Sequence, residues 1–308
     1  MNELLWGIAT IGMTVTIGLT IRAHHAIRKM TLQSAWWWSL VAETAWLVAI
    51  IASSPQLSPN PFFVDVAWYL ACVLTLCPLV SVLGARKPVA EVWSLFIVAP
   101  LIFVLCLPVF TSWGQDRLYL ENHVLIGFCL VALMGGGNYL GTRHTFPVLL
   151  IAASLFLVMS LLLNPVAHDL NSPGVDQRKL WGGICLTIAV FSASVLSWSR
   201  RQAEKPLTEM KPQDRLWSEF FHLYGILWAK RILERVNRTA EEEKWPGRLD
   251  FWGLTWSEEN VGDEQKQQAY QRFEHTLRWL FKRFVTADWI DEQLQQNSAQ
   301  QPMSEKSS

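Results

Sequence analysis

Seven stretches of 18 to 22 mostly apolar residues, separated by short polar segments, fill the first two-thirds of the chain. A bilayer crossing needs about 20 such residues, and in lipid the backbone must satisfy its own hydrogen bonds, so each stretch predicts a transmembrane helix. The predicted spans are Leu4–Ile21, Ser34–Ser53, Phe63–Gly84, Glu91–Phe110, Glu121–Leu140, Phe146–Leu163 and Leu180–Trp198. The pattern therefore predicts an all-α fold, a polytopic membrane bundle of seven helices.

The pattern changes after residue 199. A long helix is predicted from Gln213 to Arg238, with apolar residues on more than one face. A second helix, from Glu264 to Gln295, carries an apolar stripe at three- and four-residue spacing. Residues 239–261 between them are expected to be irregular. The predicted organisation is a transmembrane domain (1–199), a charged linker (200–214), a cytosolic helical domain (215–295) and a disordered tail (296–308).

Charge also separates the two parts of the chain. Of the 52 charged residues, 35 lie in residues 200–308, a density typical of a water-soluble module. Each part has a net charge near zero, so the charge pattern gives no reason to expect nucleic acid as a partner.

Lys and Arg are distributed unevenly among the loops. The loops after spans one, three, five and seven carry nine of these residues, whereas the loops after spans two, four and six carry three. Because basic loops stay on the cytoplasmic side, this bias predicts an outside N-terminus and a cytoplasmic C-terminus. The expected location is the plasma membrane, which is the inner membrane in a bacterium.

A short motif recurs at the inner end of two spans. Leu83-Gly84-Ala85-Arg86 and Leu140-Gly141-Thr142-Arg143 lie 57 residues apart, and a further 57 residues lead to Arg200 at the end of span seven. Tandem helical hairpins of one orientation explain the spacing. The alternative is that the positive-inside rule alone places an arginine at every inner end.

Small residues predict where helices meet, because close approach of helix backbones drives association in lipid. Gly12, Thr16 and Thr20 line one face of span one at four-residue spacing. Span five contains the triplet Gly135-Gly136-Gly137, and Arg143 and His144 follow it. The triplet has two interpretations: close helix packing, or a contact of Gly135, Gly136, Gly137, Arg143 and His144 with a lipid headgroup or phosphate.

Glu43 is the most informative single residue. It lies near the middle of span two, where an ionised carboxylate is costly and usually functional. One interpretation is a proton, ligand or ion site. The other is a neutral acid bonded to a threonine such as Thr14 or Thr75, which would join two helices. Asp65 and Glu91 fall at span ends, so we expect them to be solvated.

The histidines raise the question of a haem. A b-type haem needs two axial imidazoles at similar depth on facing helices, and His25 and His144 meet only the requirement of depth. The five cysteines fall within the predicted spans without a C-x-x-C pair, so no metal site is expected. We therefore expect no cofactor, with haem as the alternative.

No catalytic motif is present in the chain, and the sequence resembles no family that we recognise. The leading expectation is a non-enzymatic membrane protein that senses, anchors or assembles, with lipids around the bundle and a protein partner or a second copy on the cytosolic helices. The first alternative is a proton-coupled or small-molecule permease that uses Glu43. The second is a haem-binding redox subunit.

Overall fold

A computed structural model describes residues 2–54, 60–87, 90–118, 120–163, 173–202, 211–256 and 262–295. The chain is predominantly helical and forms two compact units. Unit 1 comprises Met1–Arg28 and Leu32–Ser197, and unit 2 comprises Lys29–Thr31 and Trp198–Ser308. The tail expected to be disordered (296–308) lies outside the described residues, as does most of the expected linker.

Unit 1 contains the apolar helices. Their bounds are α1 (Asn2–Ile27), α2 (Gln33–Ala52), α3 (Pro61–Leu83), α4 (Ala90–Trp93), α5 (Ala99–Thr111), α6 (Asn122–Gly137), α7 (Thr145–Leu162) and α8 (Pro173–Gln202), the last of which continues beyond the unit. Five of these described helices, α1, α2, α3, α7 and α8, are long and apolar enough to cross a membrane. They make the chain compatible with a multi-pass membrane protein.

The predicted spans four and five form shorter helices. Span four becomes α4, a π-helical turn (Ser94–Val98) and α5, and span five becomes the 16-residue α6. Pro100 lies in the first turn of α5. Because proline has no backbone N–H, the α-helical hydrogen-bond ladder cannot continue through this point, and the wider turn precedes it.

α3 is the central helix of unit 1. Two indole N–H groups join it to α2: Trp46 donates to Thr75 Oγ1 at 2.8 Å, and Trp68 donates to Ser53 Oγ at 2.7 Å. The residue later in α2, Ser53, pairs with the residue earlier in α3, Trp68, so the two helices are antiparallel. On another side of α3, the Tyr69 hydroxyl donates to the Leu105 carbonyl of α5.

The outer surface of unit 1 is strongly apolar. Large aliphatic and aromatic side chains are more than half exposed on several helices, among them Leu4, Ile11, Phe103, Leu133 and Phe156. A water-soluble protein rarely exposes apolar side chains on this scale, whereas lipid tails cover them without cost. The surface therefore agrees with the sequence pattern.

Unit 2 departs from the predicted pair of helices. α9 (Pro212–Glu242) is interrupted at Gly225, whose φ of 79° and ψ of −179° suit glycine alone. The residues expected to be irregular contain an antiparallel hairpin, β1 (Gly247–Asp250) and β2 (Gly253–Trp256), which the all-α expectation did not include. The prediction of one helix from Glu264 to Gln295 is wrong, because α10 (Asp263–Phe281) and α11 (Ala287–Gln295) are separate helices.

The break between α10 and α11 coincides with a backbone pairing to a distant part of the chain. Met30 forms an antiparallel β-bridge with Val285, with hydrogen bonds from Thr31 N to Phe284 O at 2.8 Å and from Thr286 N to Lys29 O at 2.9 Å. A backbone engaged in these pairings cannot continue the helical ladder. Since the partner residues lie more than 250 positions away in the sequence, the local pattern gave no sign of this break.

The apolar faces of α9 pack within unit 2. Phe220 stacks on Phe281 of α10 with ring centroids 4.2 Å apart, and Phe284 packs edge-on against Phe220, Tyr224 and Trp228. These aromatic pairs form the core of the unit.

Candidate functional site

The structure places Glu43 inside the bundle of unit 1. Its side chain is only 5% exposed, and Oε1 accepts a hydrogen bond from Thr20 Oγ1 of α1 at 2.7 Å. Oε2 is buried without a hydrogen-bond partner among the described residues. A threonine therefore does join Glu43 to a neighbouring helix, as the second interpretation expected, but that threonine is Thr20. Thr14 and Thr75 were the wrong examples, because their hydroxyls donate to backbone carbonyls of their own helices.

Further contacts fix Thr20 in place. The indole N–H of Trp36 in α2 donates to the Thr20 carbonyl at 2.6 Å, and the His24 ring lies 4.4 Å from the Trp36 ring. His24 follows Thr20 by four residues and therefore lies on the same face of α1. Glu43, Thr20, Trp36 and His24 together line the contact between α1 and α2, which we term the α1–α2 seam.

The surroundings of Glu43 supply its carboxyl group with one hydrogen-bond partner and no cationic partner among the described residues. A buried polar oxygen without a partner is costly, and the cost is larger when the group carries a full charge. Protonation removes the charge and turns one oxygen of Glu43 into a donor. The Thr20 hydroxyl can donate to the carboxylate or accept from the acid, so it can stay engaged in both states.

A second polar cluster involves Asp65, which we expected to be solvated. That expectation is wrong: Asp65 is 5% exposed, and Arg117 Nη1 donates to both of its oxygens at 2.9 Å. Lys179 Nζ lies 3.5 Å from Asp65 Oδ1. The cluster joins three parts of unit 1: Asp65 lies on α3, Arg117 in the segment that follows α5, and Lys179 on α8. The other expected boundary residue, Glu91, has a side chain outside the described residues.

Gly135 is a point of close helix approach. A Cβ atom there would lie 2.7 Å from Leu79 Cβ of α3, and one at Gly136 would lie 3.3 Å from Val148 of α7, whereas Gly137 has open space. α6 is continuous through Gly137. The packing interpretation thus has a geometric basis at two of the three glycines, and the headgroup site stays a prediction.

The two haem candidates have different surroundings. His144 precedes α7, and its Nε2 accepts a hydrogen bond from Arg143 Nε at 3.3 Å. His25 is exposed in the last turn of α1. No group of three or more His, Cys, Asp or Glu side chains is placed to hold a metal ion in the described part of the chain. Haem binding stays a prediction.

Unit 2 contains a buried carboxyl of its own. Asp214 accepts hydrogen bonds from Leu254 N of the hairpin at 2.9 Å and from the Tyr270 hydroxyl of α10 at 3.2 Å. Burial raises the pKa of Asp214 above its ordinary value, although these hydrogen bonds and Lys211 oppose the shift. The pKa of Tyr270 is raised to about 12, first by burial and then by Asp214. The two hydrogen bonds of Asp214 connect α9 to the hairpin and to α10.

Sequence reasoning missed the three side chains that bond to or pair with Glu43 and Asp65. Thr20 had a signal, since it belongs to the small-residue face with Gly12 and Thr16. Arg117 and Lys179 had none, because both fall near predicted span ends, where basic residues are ordinary. Their pairing depends on contacts between distant segments of the chain.

Comparisons with protein-family models, with curated proteins and with solved structures give no match.

Proposed function

We propose that this protein is a multi-pass membrane protein that takes up and releases a proton at Glu43, as a proton-coupled permease does. The observation that carries the proposal is the Glu43 carboxyl, 5% exposed, with one oxygen bonded to Thr20 and the other without a described partner. Intramembrane carboxyl groups of this kind mark proton relays and ion pathways.

The seven-span topology belongs to this proposal. Five helices have the length and composition of spans, and the segments 91–110 and 121–140 would supply the other two. Unit 2 takes in both Lys29–Thr31 and the chain from Trp198 onward. This connectivity supports an even number of crossings between residues 31 and 198, and the seven-span topology has six there. Loop charge supports a cytoplasmic location for unit 2.

A carbodiimide tests the proposal without knowledge of the solute. Dicyclohexylcarbodiimide is hydrophobic and reacts with protonated carboxyl groups, so in native membranes it should modify Glu43 at low pH and progressively less as the pH rises. Peptide mass spectrometry locates the modification. Glu43→Gln should abolish it, whereas Thr44→Val, an exposed neighbour on α2, should leave it unchanged. Labelling that is absent at every pH, or constant between pH 5 and pH 9, would contradict the proposal.

A second candidate function, assembly through unit 2, is favoured by two exposed indoles. Trp252 is 77% exposed in the two-residue turn of the hairpin, and Trp279 on α10 is 51% exposed. Tryptophan is enriched where proteins bind partners. The apolar faces of α9, which first suggested a docking role, contribute less, since they pack inside the unit.

Affinity purification in mild detergent tests this second candidate. A stoichiometric partner or a homo-oligomer should be recovered with the wild-type chain and lost with Trp252→Ala. His275→Ala is the matched control, because it also truncates an exposed ring of unit 2 but lies on α10 and not in the hairpin. Recovery of monomer alone from several detergents would overturn the candidate.

A further inference from the structure

The α1–α2 seam offers Glu43 a route toward one end of the bundle. Thr20 contacts Glu43 directly, and His24 lies one helical turn further along α1, at the end that leads into the α1–α2 turn. Both side chains are half-buried, whereas Glu43 is buried. The two side chains on the turn side of Glu43 are thus more exposed than Glu43 itself.

We propose that Glu43 exchanges its proton with the face of the membrane that carries the α1–α2 turn, and that His24 is the group that transfers the proton into the seam. This inference rests on the proposed function and adds the direction of access and a second residue. An imidazole both accepts and releases protons near neutral pH, so it suits the entrance of such a route.

The surroundings of Glu43 leave His24 as the titratable side chain best placed for this role. Glu43 is the only charged residue of α2, which contacts α1, α3 and α8. On α1, Arg22 and His25 are exposed, and so is Arg28, which directly follows the helix. The other titratable groups on the packed helices are Asp65, Tyr69, Cys72 and Cys77 on α3 and Asp176, Arg178, Lys179, Cys185, Arg200 and Arg201 on α8. Arg178 is exposed, and the side chains of Asp176, Arg200 and Arg201 lie outside the described residues. Asp65 and Lys179 pair with each other at the opposite end of the bundle, and the thiols and the phenol are poor proton carriers at neutral pH.

The contact between His24 and Trp36 gives the histidine a fixed place. Their rings lie 4.4 Å apart, and Trp36 is held by its hydrogen bond to the Thr20 carbonyl. His25, the next residue, is exposed and has its ring centroid 6.3 Å from that of His24. The chain therefore supplies its own control: two adjacent histidines, of which one lies on the seam.

Sidedness is tested first with oriented membrane vesicles. Right-side-out and inverted vesicles are prepared with different pH values inside and outside, and carbodiimide labelling of Glu43 is measured. We expect labelling to follow the pH of the face that carries the α1–α2 turn. Labelling that follows the opposite face overturns this inference but leaves the proposed function intact. Absence of labelling at every pH overturns both.

The role of His24 is tested by kinetics. After a rapid pH jump, the infrared absorption of the protonated carboxyl reports how fast Glu43 changes state in the purified full-length protein. His24→Ala should slow this change on the order of 10²-fold, the low end of the effect of a positioned proton-transfer group. Added imidazole should restore the rate if His24 transfers the proton. It should not restore the rate if the role of His24 is only structural. His25→Ala should leave the rate unchanged, and equal rates in the two variants would overturn the role of His24.

Discussion

At the scale of single residues, the stability of unit 1 depends on where charge is buried. Asp65 is the clearest case, because Arg117 and Lys179 both approach its carboxylate. Glu43 differs in that no basic side chain approaches it among the described residues. Asp65 thus has two cationic partners, whereas Glu43 has one hydroxyl partner in the described part of the chain.

Removing the Asp65 charge should destabilise unit 1. Asp65→Asn takes away the carboxylate that two cations share, and breaking a buried ion pair costs about 3–5 kcal/mol. We expect the lower end of that range, since the Arg117 side chain is 30% exposed. Thermal unfolding in detergent should show a lower midpoint for Asp65→Asn than for Asp116→Asn, which changes an exposed neighbour of Arg117. Equal midpoints would contradict the buried network.

Asp214 should make unit 2 less stable as the pH rises. Burial raises its pKa in the folded chain above the ordinary value of 3.8, so the folded state binds the proton more tightly than the unfolded state. The resulting stabilisation is full below that value and is lost as the pH rises through the folded pKa. Hydrogen exchange of unit 2 amides in the full-length protein should show this slope. Asp214→Asn should remove it while keeping an acceptor for Leu254 N; an unchanged slope would be evidence against this assignment.

At the scale of elements, the helices that the sequence predicts best are those that are apolar along their whole length. α2, α3 and α7 lie close to the predicted spans because apolar residues continue through every turn of these helices. The errors in unit 2 have specific causes: a positive φ at Gly225, the hairpin beside Asp214, and the pairing of Val285 with Met30. Each depends on backbone geometry or on a distant partner.

Gly135 should be essential for the packing of α6 on α3. Gly135→Ala places a Cβ 2.7 Å from Leu79 Cβ, and overpacking of this kind costs about 1–3 kcal/mol. Gly137→Ala, two residues away with open space around it, should cost less. The two variants are compared by thermal unfolding in the same detergent. A larger loss for Gly137→Ala would show that the helices meet differently.

At the scale of the whole molecule, the sequence indicates membrane insertion more clearly than it indicates function. Hydrophobic length and loop charge predict the bundle, its orientation and a separate C-terminal part. The partner of Glu43 was not predicted, because α1 carries four threonines, Thr10, Thr14, Thr16 and Thr20, and the sequence does not show which of them faces Glu43. Only the position of α1 against α2 selects Thr20.

Two surface positions distinguish seven crossings from five. If α5 and α6 cross the membrane, Gln115 lies outside and Lys87 inside; if they do not, both lie inside. Both residues are exposed in the structure. We expect an impermeant maleimide added to intact cells to label Gln115→Cys and not Lys87→Cys, with labelling located by peptide mass spectrometry. Protection of both positions, reversed on lysis, would establish five crossings.

The central claim is that the buried Glu43 carboxyl gains and loses a proton. Infrared difference spectra of the purified, reconstituted protein between pH 5 and pH 9 measure this directly. We expect a protonated carboxyl band, above the frequency range of ionised carboxylates, that disappears as the pH rises and is missing from Glu43→Gln. A wild-type spectrum identical to that of Glu43→Gln at every pH would contradict it.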